Sequence, residues 1–147
     1  LEVFMTQEVK NKTFFVDLPS EGRAYPQESP LYEGTVELRY GSSGDENILL
    51  NQHYIVRGEV FDRLLEQLLV NKSIDIADLL VGDKNALVIA TRQAMYGNTY
   101  PIKLKCPKCG EEINDSFDLT HLHKFKFPED EDFNPKQLTY TSEAGNV

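Results

Sequence analysis

Apolar residues recur at helical spacing over residues 58–70. Val60, Phe61, Leu64, Leu65, Leu68 and Leu69 form two adjacent i, i+4 rows, and Asp62, Arg63, Glu66 and Gln67 occupy the other side. The pattern predicts an amphipathic helix whose leucine face is core. A second helix is expected over residues 83–96. Asp83 can serve as its N-cap, accepting from the free amides of the first turn. Residues 86–90 are apolar nearly all round, which suits a central buried helix. Ala86, Ala90 and Ala94 repeat every four residues and make a stripe that another element can approach closely. Gly97, supported by Asn98, supplies a left-handed stop. The link 73–80, with Asp75 and Asp78, is short, so the two helices should form an antiparallel hairpin.

A two-residue period predicts strands elsewhere. Val36, Leu38 and Tyr40 alternate with Thr35, Glu37 and Arg39, and residues 13–16 are a short β-prone run. Tyr100, Ile102 and Leu104 share one face of a strand over 99–105. Ile113, Asp115, Phe117 and Leu119 share one face of another. These two should pair antiparallel around the turn Cys106-Pro107-Lys108-Cys109-Gly110. Past His123, Phe125 and Phe127 alternate as a further short strand, 129–132 is an acidic run, and 137–141 is β-prone. Ser43 with Glu46 three residues on reads as a capping box, giving a short helix over 44–50. The glycines ahead of it do not make a phosphate cradle, because no Gly-Lys-Ser/Thr follows and acids occupy the mouth. His53 stands alone in sequence and reads as a packing or surface residue.

The fold these elements imply is α+β: a small antiparallel sheet with a helical hairpin packed on it, ending in a Cys-knuckle β-hairpin. Residues 1–17 would be an N-terminal segment and first strand, and 35–127 the core with the knuckle. Residues 128–147 would be an acidic linker and tail. Between the first two units, 18–34 holds several prolines and glycines and no periodicity. It reads either as a solvent-exposed connector or as an extended arm lying on a neighbouring subunit, with Tyr25 and Tyr32 as anchors. The opening residues 1–4, ahead of Met5, are set aside from this reading.

Composition narrows the function. The 147 residues carry 24 acidic and 15 basic side chains, a net charge of -9, which argues against nucleic acid as the main partner. Lys103, Lys105, Lys108, Lys124 and Lys126 do gather around the Cys turn, but Glu111, Glu112, Asp115 and Asp118 interleave with them. No apolar run is long enough to span a membrane, and nothing resembles a signal peptide, so synthesis is expected inside a cell. No nucleophile elbow, His-Glu-x-x-His or phosphate loop occurs, and no pair of acids stands out, so an enzyme is not expected.

The one chemically distinctive pattern is the Cys turn. In Cys-Pro-x-Cys-Gly, glycine tolerates the positive φ that lets backbone amides reach the sulfurs. Two cysteines three apart give half of a tetrahedral zinc site, and His121 and His123 are the candidates for the other half. Two thiolates with imidazoles suit a structural zinc and no catalytic one. A bare knuckle that holds its shape without metal is the competing reading. A redox pair would need a helix after the motif, where a strand is expected, and a disulfide does not suit a cytoplasmic setting. A zinc-ribbon adaptor binding nucleic acid or a polymerase is the alternative that this turn and its lysines would support.

The order LPSEGRAYP, then ELRYGSSGDENILL, then LVGDKNALVIATRQAMYGNTYPIKLKCPKCG and the closing FDL resembles the T4-like bacteriophage baseplate hub family, from about residue 18 to 119. The resemblance implies a hub structural or assembly protein that acts through contacts with other baseplate and tail proteins. It further implies a place in the host cytoplasm during assembly or in the tail baseplate of the virion, where the chain can be oligomeric.

Overall fold

The computed structural model describes residues 12–122. Strand β1 (Thr13–Asp17) pairs antiparallel with β2 (Thr35–Arg39), in a register that sets Thr13 against Arg39 and Asp17 against Thr35. Between them the 18–34 segment folds back on itself. The Leu18 N–H donates to the Gly34 carbonyl at 2.8 Å, and the two limbs touch at glycines. Gly22 has φ +78°, and a Cβ there would sit 2.1 Å from the Tyr32 carbonyl oxygen, so no other residue fits without moving backbone.

This loop packs into the chain's own core. Leu18, Ser20, Tyr25 and Leu31 are all buried in the chain's own core, although Tyr32 remains exposed. A loop can bury side chains at irregular intervals, and so it leaves no period in the sequence to show it.

Three helices follow. In α1 (Ser43–Leu49) the N-cap is Ser42, and the boxing residue is Asp45 rather than Glu46. The Asp45 carboxylate accepts from the Ser42 N–H and hydroxyl, each at 2.7 Å, and from both Arg39 nitrogens at 2.8 Å. Arg39 first, then the Ser42 donors, holds this carboxyl well below the usual range, while Asp45 in turn raises Arg39. Helix α2 (Gln52–Arg57) begins where the Asn51 side chain accepts from the His53 N–H at 3.0 Å and stops at Gly58, φ +70°. No apolar period announced it.

The helix expected over 58–70 is therefore shorter, α3 (Val60–Leu68). Leu64, Leu65 and Leu68 are buried as expected, but Phe61 is 50% exposed. Leu69 leaves the helix to bridge Leu38, and the Val70 N–H donates to the Glu37 carbonyl, so the chain touches the outer edge of β2.

A turn capped by Asp75 leads into α4 (Val81–Tyr96). This helix starts two residues before Asp83, with Leu80 at its N-cap, so Asp83 is not a cap. Its carboxylate is 1% exposed and accepts from the Ser20 N–H at 3.0 Å, the Ser20 hydroxyl at 2.6 Å and the Tyr25 hydroxyl. The Tyr25 oxygen accepts the Leu80 N–H at 3.0 Å. Burial, then the Asp83 anion, raises the Tyr25 phenol above its ordinary value. Asp83, Leu87 and Thr91 form the one buried row of α4, and most of the rest is half-buried, so it is a surface helix.

Gly97, φ +81°, ends α4 as expected. Strands β3 (Thr99–Lys105) and β4 (Glu112–Asp118) then pair antiparallel, Thr99 against Asp118 and Lys105 against Glu112. They form a second two-stranded sheet, separate from β1–β2. The fold is thus α+β, with four α-helices and two small antiparallel sheets among the described residues. Leucines of α3 and Leu87 of α4 join Val16, Val36 and Leu38 of the first sheet in one core cluster. The strand expected around Phe125 and Phe127 and the tail beyond lie outside the described residues.

Candidate functional site

The β3–β4 hairpin stands apart from that core. Every residue of both strands is exposed except Ile102, which is half-buried. Directly paired residues share a face, so Tyr100 with Phe117 and Leu104 with Ile113 make one apolar surface, interrupted by Asp115 opposite Ile102. These four apolar side chains are 45%, 59%, 55% and 49% exposed. The other face carries Lys103, Lys105, Asn114 and Ser116. A lone two-stranded hairpin is marginal in water, and a patch of large apolar groups left open marks a contact surface.

The base of the hairpin is clamped to α4. Arg92 donates to the Gly97 carbonyl at 3.2 Å, and its guanidinium lies 4.8 Å from the Tyr96 ring centre and 5.5 Å from that of Tyr100. Gln93 bonds Asn98 at 3.2 Å, and the Leu119 N–H donates to the Asn98 carbonyl at 2.9 Å. Nothing in the spacing of Arg92 singled it out. Its partners come from the chain reversal at Gly97.

At the far end the Cys turn closes the hairpin. The Cys106 N–H donates to the Glu111 carbonyl and the Gly110 N–H to the Cys106 carbonyl, both at 2.9 Å, with Gly110 at φ +74°. Backbone N–H groups of Cys109 and Lys108, followed by the Cys109 thiol, face the Cys106 sulfur and lower its pKa from the ordinary thiol value. Cys109 is exposed, Cys106 is half-buried, and both are free thiols. Lys103, Lys105 and Lys108 surround them beside Glu111 and Glu112.

The structure does not bring His121 to these sulfurs. His121 closes the short turn Leu119–His121 that follows β4, next to the Thr99–Asp118 end of the hairpin. At about 3.3 Å per residue, that end is roughly 20 Å from the Cys turn. Asp118 caps the turn there, accepting from the Thr120 N–H at 2.9 Å and hydroxyl at 2.7 Å. His123 lies outside the described residues, as do Lys124 and Lys126. Among the described residues no three His, Cys, Asp or Glu side chains gather as a metal site. No described helix is long and apolar enough to cross a membrane.

A second open feature is a groove of about 480 Å³ between α4, β1 and the Leu119–His121 turn. Ala86 and Ala90 line it with Val16, Pro19, Ile89 and Leu119. The alanine stripe therefore borders open space here.

One family matches the chain: a model described as T4 bacteriophage base plate protein aligns with residues 11–142. No curated protein and no solved structure matches.

Proposed function

The chain belongs to the T4 bacteriophage base plate protein family, and from that premise we propose that it is a hub structural or assembly protein that works through protein contacts alone. The observation that carries the reading is the exposed apolar face of the β3–β4 hairpin, Tyr100, Leu104, Ile113 and Phe117, on a ribbon too small to be stable without cover. A neighbouring base plate subunit would cover that face. About half of each side chain is already covered, so burying the rest is worth on the order of 1 kcal/mol each before ordering costs. In this reading the protein folds in the host cytoplasm, meets its partners there and takes its place in the tail base plate. It carries out no reaction of its own. The competing role as a nucleic-acid adaptor draws little support from the hairpin tip, where glutamates accompany the lysines and limit the positive field that phosphate contacts require.

The test is the double variant Leu104→Ser, Phe117→Ser, supplied to a phage lacking its own copy. Both side chains are more than half exposed, so the isolated protein should keep its melting temperature. Incorporation into tails or recovery of infectious particles should fall at least tenfold. Normal assembly with this variant would refute the role given to the hairpin face.

A further inference from the structure

The apolar face does not account for the Cys turn. Its geometry is that of half a metal site. The backbone bonds from the Cys106 N–H to the Glu111 carbonyl and from the Gly110 N–H to the Cys106 carbonyl hold Cys106 and Cys109 in one tight turn at the tip, and both are free. Of the residues expected to complete the tetrahedron in the same chain, His121 sits at the other end of the hairpin and His123 lies outside the described residues. Among the described residues no third ligand is within reach. Two thiolates at an exposed tip leave two positions of a zinc tetrahedron that another chain can fill.

We infer that the tip binds a zinc ion shared between two copies of this chain, each contributing Cys106 and Cys109 to a closed four-sulfur tetrahedron. This rests on the reading of the hairpin as a contact surface and names its partner at the tip. Symmetry and two observations favour a second copy over an unlike subunit. A two-fold axis through the metal supplies the missing ligands as the same pair, with identical geometry. The Leu104–Ile113 pair adjoins the turn and is about half exposed, so across that axis it meets its own image, apolar against apolar. The chain as a whole repels itself at -9, but around the sulfurs Lys103, Lys105 and Lys108 stand beside Glu111 and Glu112, so charge there is close to balanced. The surplus lysine also offsets thiolate charge. Each thiol releases its proton to solvent as its zinc–sulfur bond forms, with no change of oxidation state. Two thiolates from each side suit zinc and exclude calcium or magnesium. With four protein ligands there is no open position, so the ion is a staple.

Zinc chloride titrated into the full chain, stripped by chelator and kept reduced, tests this by sedimentation and metal analysis together. The expected result is half an equivalent of zinc per chain with a doubling of mass. Both should be lost in Cys106→Ser and in Cys109→Ser, and the exposed Cys109 should be replaceable with the melting temperature unchanged. Cobalt(II) in place of zinc should give the absorption of tetrahedral thiolate coordination without any variant. A full equivalent on a monomer, zinc retained by the serine variants, or no uptake would each overturn the inference. These failures are separable from that of the proposed function. If zinc is not taken up but Leu104→Ser, Phe117→Ser still blocks assembly, the contact role stands and only the shared ion is wrong.

Discussion

Replacing Asp83 with alanine should unfold this protein more readily than almost any other polar substitution in it. The Asp83 carboxylate is 1% exposed and accepts three hydrogen bonds, from the Ser20 N–H, the Ser20 hydroxyl and the Tyr25 hydroxyl. Ser20 is fully buried and Tyr25 nearly so, so all three donors lose a partner and cannot reach water easily. A buried donor left unsatisfied costs about 1–3 kcal/mol. Removing the anion also removes the cost of burying it, which offsets part of the sum. A net loss of about 3–5 kcal/mol follows, a large share of the roughly 5–15 kcal/mol that holds a domain together. Tyr25→Phe removes one of the three bonds and leaves the Leu80 N–H without its acceptor, for a loss of about 1–2 kcal/mol. The two changes share a bond, so the double variant should lose about 1 kcal/mol less than the two single losses added together. Urea unfolding at unchanged m-value measures all three. Strict additivity with an Asp83→Ala loss below about 0.5 kcal/mol would show that the 18–34 loop is not held by this carboxylate.

Two further outcomes follow from the packing. Arg39→Gln should cost about 2 kcal/mol, discounted for the partial exposure of Arg39, because it strands a nearly buried Asp45. Asp45 has its folded pKa depressed, so its contribution is present above the ordinary carboxyl value near 4 and is lost as pH falls below it; acid unfolding of the native chain should show this limb and Arg39→Gln should flatten it. Leu65→Ala, at 0% exposure, should cost about 2–5 kcal/mol by leaving a cavity; a calorimetric loss under 0.5 kcal/mol would place Leu65 outside the core.

Local patterns were legible wherever a period or a stop residue is itself the cause of the structure. The leucine rows of α3, the alternation of β3 and β4, their antiparallel pairing around the Cys turn, and the Gly97 stop all follow from side-chain spacing and backbone sterics within a few residues. The ordered series of motifs also pointed to the base plate family that matches residues 11–142. What the sequence left open are matters of distance. Helix α2 is short and buries no residue, begun by an Asn51 cap and ended by Gly58, so no apolar rhythm marks it. The 18–34 loop looked like an arm because burial without regular backbone has no period, and its anchor, Asp83, is 63 residues from Ser20. Alternation says which side chains of the hairpin share a face but not whether anything covers them. It likewise sets His121 beyond the strand without saying that an extended hairpin keeps it roughly 20 Å from the sulfurs. Short-range sterics act through neighbours in the chain and can be read from it, whereas burial, pairing between sheets and the partners of a buried charge depend on which distant segments meet, and only the folded chain decides that.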